Sequence, residues 1–138
     1  MFKKNVSRVA VALATAGLSV LALSGSAQAR QGAPWIGYGQ ANTYNGVWCV
    51  QHQLNYAFAH NWSWRPYHGQ ITQDGKFGPQ TDEAIRFFQN VMLGRTKVDG
   101  IVGPETGYNL LWEGDPDYGY DEKVTNAGWC NEYIPSMV

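Results

Sequence analysis

The sequence has 138 residues, of which 44% are hydrophobic, 14% aromatic and 15% charged, and its formal net charge is −1. A nucleic-acid-binding protein neutralises phosphates with clustered Lys and Arg, so this charge balance argues against nucleic acid as a partner. The length suffices for one domain with a buried core and leaves no room for a second domain of ordinary size.

The first 29 residues have the pattern of a secretory signal peptide. Three basic residues within residues 1–8 precede an uncharged, mostly apolar run at residues 9–29, which ends in the small residues Ala27 and Ala29. The apolar centre of this run is shorter than the roughly 20 residues that a membrane-spanning helix needs, and no second run follows. We therefore expect cleavage after Ala29 and secretion to the cell exterior or the cell wall, with no membrane partner afterwards.

The rest of the chain, residues 30–138, contains both cysteines. Residues 1–29 hold three of the ten basic residues and none of the eleven acidic ones, so the remainder has a net charge of −4. In an exported protein, a pair such as Cys49 and Cys130 forms a disulfide more often than it stays reduced. We predict this disulfide, which would join the first helix to the C-terminal tail.

The chain from residue 30 to residue 72 predicts one helix between two irregular segments. Residues 30–46 show no apolar period and predict a flexible lead-in. Apolar residues then recur three or four positions apart, which predicts a first helix over residues 47–59. These residues are Val47, Val50, Leu54 and Phe58. Residues 60–72 mix aromatic residues with turn formers and predict a long loop.

An eight-residue motif then occurs twice, at residues 74–81 and 99–106. In each copy, Asp-Gly predicts a tight turn and Gly-Pro predicts a helix start, because proline suits the first helical position. The first copy predicts a second helix that ends near Gly94, and the second copy predicts a third helix that ends by Glu113. Gly107 lies inside this third helix, where glycine is less favourable than alanine by about 1 kcal/mol.

These elements predict an all-α fold. We expect a small three-helix bundle with two Asp-Gly-x-x-Gly-Pro turns and a long aromatic loop. Residues 113–138 would form an acidic, aromatic tail that the disulfide tethers to the bundle. We also expect the protein to be a monomer.

Several of these residues resemble the peptidoglycan-binding-like family, a three-helix module commonly appended to bacterial wall hydrolases. The resemblance rests on the two turns and on Val50-Gln51, Leu54, Ala84-Ile85-x-x-Phe88-Gln89 and Leu110. It covers residues 47–112, and it implies a bundle that binds the glycan strand or the stem peptide of peptidoglycan and catalyses no reaction. The loop between the first two helices is longer than the family pattern, and the tail with Cys130 lies outside that pattern.

Aromatic residues of the long loop are the first candidates for ligand contacts. Trp62, Trp64 and Tyr67 lie among polar residues, and indole and phenol rings stack well on the apolar faces of sugars. Packing of these rings beneath the loop is the alternative. Asp74 and Asp99 are further candidates, although aspartates in such turns more often accept hydrogen bonds from nearby N–H groups.

Other polar residues of the repeat suggest an architectural role. We expect Thr81 and Thr106 to form hydrogen bonds within the first turn of their helices. Gln89 is expected to hold a loop carbonyl group.

We find no convincing catalytic set and expect neither a cofactor nor a metal. The three histidines, His52, His60 and His68, lack the spacing of zinc ligands. A nucleophilic thiol at Cys49 would need to be reduced, with His52 as its base. The sequence thus predicts a secreted, non-catalytic protein whose partner is peptidoglycan. Two alternatives stay open, namely a small secreted peptidoglycan hydrolase and a protein-interaction module such as an inhibitor of a wall enzyme.

Overall fold

A computed structural model describes residues 32–61, 64, 69–119 and 128–137. The predicted signal peptide lies outside these residues. Within them the chain forms three α-helices and two short 3-10 helices. The α-helices are α1 (Tyr44–His60), α2 (Pro79–Met92) and α3 (Pro104–Glu113), and the 3-10 helices are Arg95–Lys97 and Trp129–Glu132. The predicted small three-helix bundle is confirmed.

The helix starts follow from local sequence. Pro79 and Pro104 begin α2 and α3, as the repeat predicted. Helix α1 begins earlier than predicted because the Thr43 side chain caps it, accepting a hydrogen bond from the backbone N–H of Gly46 at 3.3 Å. No helix in the described parts of the chain is long and apolar enough to cross a membrane.

The core lies where the three helices meet, with α1 in contact with both α2 and α3. Each helix contributes apolar side chains that are almost completely buried: Val47, Val50 and Leu54 from α1, Ala84, Ile85 and Phe88 from α2, and Leu110 and Leu111 from α3. Removing such groups from water is the main favourable contribution to folding.

The lead-in also contributes to this core. Ile36 is fully buried and forms an isolated antiparallel bridge with Val102, with N–O distances of 3.3 and 2.7 Å. Residues 44–46 belong to α1. The chain before residue 47 therefore holds the second turn of the repeat against the bundle.

The C-terminal tail packs on α1 and α3. The predicted disulfide between Cys49 and Cys130 is confirmed, with an S–S distance of 2.08 Å, and both residues are buried. Beyond it, Ile134 is buried and the Pro135 carbonyl group lies against Gly107 of α3, where a Cβ atom would stand. This close approach explains why glycine occupies a helix interior at that position.

Candidate functional site

The first turn of the repeat is built around a buried glutamine of α1. The Gln51 Oε1 atom accepts hydrogen bonds from the backbone N–H groups of Asp74 and Gly75 at 3.0 and 2.8 Å. Its Nε2 atom lies within hydrogen-bond distance of Asp74 Oδ1, the Lys76 carbonyl and Thr81 Oγ1, at 3.0 to 3.1 Å. One side chain thus joins α1, the turn and the start of α2.

The second turn repeats this arrangement around Gln89 of α2. Gln89 Oε1 accepts from the N–H groups of Asp99 and Gly100 at 3.1 and 2.9 Å. Its Nε2 atom faces Asp99 Oδ1, the Ile101 carbonyl and Thr106 Oγ1 at 2.8 to 3.1 Å. The predicted contact between Gln89 and a loop carbonyl is confirmed. The threonine hydroxyl bonds to the preceding helix rather than within its own first turn.

The two turn aspartates are engaged within their own turns. Asp74 Oδ1 accepts the Lys76 N–H at 3.0 Å, and Asp99 Oδ1 accepts the Ile101 N–H at 2.8 Å. The Lys76 N–H and then the Gln51 amide lower the pKa of Asp74, because hydrogen bonds to the charged form favour it. These contacts give both aspartates an architectural role, while ligand contact at Asp74 and Asp99 stays a prediction.

A groove lies beside each turn, and the two grooves correspond through the repeat. The groove at the second turn has a volume of about 380 Å³, and the one at the first turn about 210 Å³. The larger groove is lined by Trp35, Leu93, Thr96, Lys97, Asp99, Ile101, Gly103, Pro104, Glu105 and Thr106. Since the two turns have matching hydrogen bonds, the difference in volume between the two grooves comes from the residues that surround each turn.

Trp35 distinguishes the larger groove. It comes from the lead-in, is 51% exposed, and its ring lies 3.7 Å from the position that a Cβ atom on Gly103 would occupy. The Ile36–Val102 bridge, formed by the next residue along the chain, fixes the backbone that carries this ring. Sequence reasoning missed Trp35 because it follows no period, although a tryptophan in a polar, glycine-rich segment is itself a signal.

An exposed ion pair borders the same groove. Lys97 Nζ lies 2.5 Å from Glu105 Oε1, and both side chains are about half exposed. Such pairs contribute little to stability, so a ligand can replace either partner at a small free-energy cost. The groove therefore offers an aromatic face, a cation and a carboxylate within one concave surface.

Comparison with protein families identifies the segment that carries both turns. Residues 50–110 match the family described as "Putative peptidoglycan binding domain". Residues 50–110 are a peptidoglycan-binding-like domain. The match supports peptidoglycan in general as the ligand. Comparison with curated proteins and with solved structures gives no match.

Two parts of the chain outside the matched segment contribute to the peptidoglycan-binding-like domain and its surface. Trp35, in the wall of the larger groove, precedes the match, and Cys130, which anchors the tail, follows it. The family match therefore includes both turns and does not include these two additions.

Of the three candidate rings in the long loop of the peptidoglycan-binding-like domain, Trp64 lies within the described residues. Trp64 is only 5% exposed and packs edge-to-face on Phe88 with ring centroids 5.7 Å apart. This burial against α2 agrees with the packing alternative considered for Trp64 and leaves little of the ring open to a sugar. Trp62 and Tyr67 lie outside the described residues.

The described residues bear on two catalytic hypotheses. No three His, Cys, Asp or Glu side chains among them are grouped so that they could hold a metal ion. The thiol nucleophile considered at Cys49 is excluded in the oxidised protein, because its sulfur bonds to Cys130. His52, one turn further along α1, instead contacts Asp115, with 3.1 Å between Nε2 and Oδ2.

Proposed function

We propose that this protein is a secreted, non-catalytic peptidoglycan-binding protein, and that the larger groove is its main contact surface. The family match of residues 50–110 supports the ligand class. Binding pockets combine apolar walls with a few polar groups that orient the ligand, and the larger groove has this composition.

The observation that carries the proposal is the exposed ring of Trp35 in the groove wall. Tryptophan presents a large apolar face at a small conformational-entropy cost and commonly dominates binding energies. The adjacent Lys97 and Glu105 can pair with the carboxylates and amines of a stem peptide. An aromatic face with both charges beside it suits a polymer of sugars and short peptides.

Co-sedimentation with purified peptidoglycan tests the proposal. The oxidised protein is mixed with the insoluble polymer, and the pellet is assayed for protein while the supernatant is assayed for released reducing sugars and amines. We expect the protein in the pellet and no release. Release of either product would make the protein a hydrolase, and failure to pellet would overturn the proposed function.

Two tryptophan variants test the groove itself. Trp35→Ala should weaken retention on peptidoglycan by about tenfold, the usual scale for one aromatic contact. Trp112→Ala is the matched control, because Trp112 is 44% exposed but lies on α3 and stacks on Tyr108. Equal retention of both variants would show that the groove is not the contact surface.

Export is tested separately. Mass spectrometry of the protein recovered from the culture medium of the producing cells should give a chain that starts at Arg30. A chain that keeps residues 1–29 and remains with the cells would contradict secretion. If the exported protein captures a purified wall enzyme and does not pellet with peptidoglycan, the protein-interaction alternative replaces the proposal.

A further inference from the structure

We propose that α1 and the C-terminal tail form a second binding site, which takes an uncharged polymer of N-acetylated amino sugars. The site is a row of aromatic side chains, called the aromatic row here. It consists of Tyr44, Tyr133, Trp129, Trp48 and Tyr118. All five residues lie outside the segment that matches the family, residues 50–110. The inference rests on the proposed function for one point only, that the natural polymer is the glycan strand of peptidoglycan.

Four rings of the aromatic row contact one another in sequence, and the fifth, Tyr44, shares a groove with Tyr133. Tyr44 and Tyr133 line a groove of about 370 Å³ between the lead-in, α1 and the tail. From Tyr133 the ring centroids are 4.8 Å apart to Trp129, then 5.5 Å to Trp48 and 6.1 Å to Tyr118. The row can thus contact several consecutive sugar rings of an extended strand.

Enough of the aromatic row is exposed to meet a ligand. Trp129 is 43% exposed, and Tyr44 and Tyr118 are exposed as well. The apolar C–H face of a sugar ring matches the face of an indole or phenol ring, and the phenol hydroxyls can hydrogen-bond to sugar substituents. Trp48 and Tyr133 lie between the exposed rings, are partly buried and pack against the core, so Tyr44, Trp129 and Tyr118 are the rings that a ligand can reach most easily.

A histidine of α1 fixes two of these rings. The His52 ring stacks on Trp48, with centroids 5.1 Å apart and planes 4° from parallel, and lies 4.4 Å from the Tyr118 ring. Its Nε2 atom contacts Asp115 Oδ2 at 3.1 Å, and its Nδ1 atom contacts Gln73 Nε2 at 3.2 Å. The rings are therefore positioned before a ligand arrives, which lowers the entropy cost of binding.

The tail that carries Tyr118 and Trp129 is also held in place. Buried Gln53 accepts the backbone N–H of Asp115 and donates to its carbonyl, the latter at 3.4 Å. The Cys130 N–H donates to the Tyr118 carbonyl at 2.9 Å, and the disulfide fixes Cys130 on α1. The two described stretches of the tail thus pair with each other and with the helix.

Charge selects the class of polymer. Asp117 precedes Tyr118 and Glu132 precedes Tyr133 in the chain, Glu132 lines the groove of about 370 Å³, and no Lys or Arg of the described residues lines that groove. A polymer of phosphates or carboxylates would be repelled by this surface. An N-acetylated sugar polymer carries no such charge, and its N–H and O–H groups can donate to these carboxylates.

Isothermal titration calorimetry of the oxidised protein with a soluble tetrasaccharide of N-acetylglucosamine tests the aromatic row. We expect binding, and we expect Trp129→Ala to weaken it by about tenfold. Trp112→Ala, which removes an equally exposed indole from α3, should leave the affinity unchanged. Trp129→Phe should retain part of the affinity, because a smaller ring remains. If Trp129→Ala fails to fold by circular dichroism, Tyr118→Ala takes its place.

Three outcomes would overturn the inference. The first is no binding of the tetrasaccharide to the native protein. The second is an equal affinity for Trp129→Ala and Trp112→Ala. The third is a loss caused by Trp35→Ala and not by Trp129→Ala, which would assign the sugar to the larger groove. Because the probe lacks stem peptides, a protein that pellets with peptidoglycan but ignores the tetrasaccharide refutes the aromatic row and leaves the proposed function intact.

Discussion

Gln51 on α1 and Gln89 on α2 make the same five hydrogen-bond contacts to two different turns. Each amide lies between one helix and the turn that starts the next. The repeat in the turns is therefore matched by a repeat in the helices that hold them. Both glutamines are about 1% exposed, so water cannot replace these contacts.

We predict that Gln89→Ala lowers the free energy of unfolding by about 3 kcal/mol, because several buried polar groups of the second turn lose their partner. Asn90→Ala, at the exposed neighbouring position of α2, should change it by less than about 0.5 kcal/mol. Urea unfolding monitored by circular dichroism measures both. Equal stability of the two variants would mean that the glutamine does not hold the turn.

The parts of the fold that the sequence predicts are those with local signals. Pro79 and Pro104 mark helix starts because proline has few other favourable positions near a helix. The pair of cysteines and the apolar period of α1 are similarly local. The start of α1 at Tyr44 was missed because Tyr-Asn-Gly is a weak helix former, and the Thr43 cap compensates for it.

The parts that the sequence did not predict depend on contacts between distant residues. Ile36 meets Val102, and Trp35 thereby enters the larger groove, although nothing near either residue indicates the other. Trp64 lies in a loop without a period, so its burial against Phe88 could not be derived from spacing. The aromatic row needs three separate segments, and only the packed tail brings them together.

Asp74 gives the stability a defined dependence on pH. Its folded-state pKa lies below the ordinary value of 3.8, so the unfolded chain binds this proton more readily than the folded chain does. The stabilisation is present above the unfolded pKa and is lost as pH falls through the lower folded value. Asp74→Asn should therefore flatten the decline in stability below about pH 4. Thermal unfolding between about pH 2 and pH 5 measures this, and identical slopes for both proteins would contradict it.

Replacing Gly107 with alanine should destabilise the protein, whereas the same replacement at an ordinary helical glycine stabilises it. Alanine usually stabilises a helix interior by up to about 1 kcal/mol relative to glycine. Here its Cβ atom would collide with the Pro135 carbonyl oxygen and approach Ile134 Cγ2 at 2.9 Å. We predict that Gly107→Ala destabilises the protein by about 1 to 3 kcal/mol. Glu113→Ala, at the last position of α3, controls for helix propensity. A stabilised Gly107→Ala protein would show that the tail does not pack on α3.

The Cys49–Cys130 disulfide should stabilise the tail more than the bundle. It joins residues 81 positions apart, and closing so long a loop restricts the unfolded chain by about 4 kcal/mol in the chain-entropy model. We therefore predict that a Cys49→Ser, Cys130→Ser double variant has a clearly lower melting temperature than the oxidised protein.

The same variant should lose amide protection in a particular order. The N–H groups of residue 130 and of Ile134 bond to the carbonyl groups of Tyr118 and of residue 130, contacts that depend on the anchored tail, and they should exchange first. Amides of α2 rely on core packing through Ile85 and Phe88 and should stay protected. Hydrogen exchange measured by NMR compares the two sets. If the amides of the tail and of α2 lose protection together, the tail and the bundle unfold as one cooperative unit. The bundle would then depend on the anchored tail for its own stability.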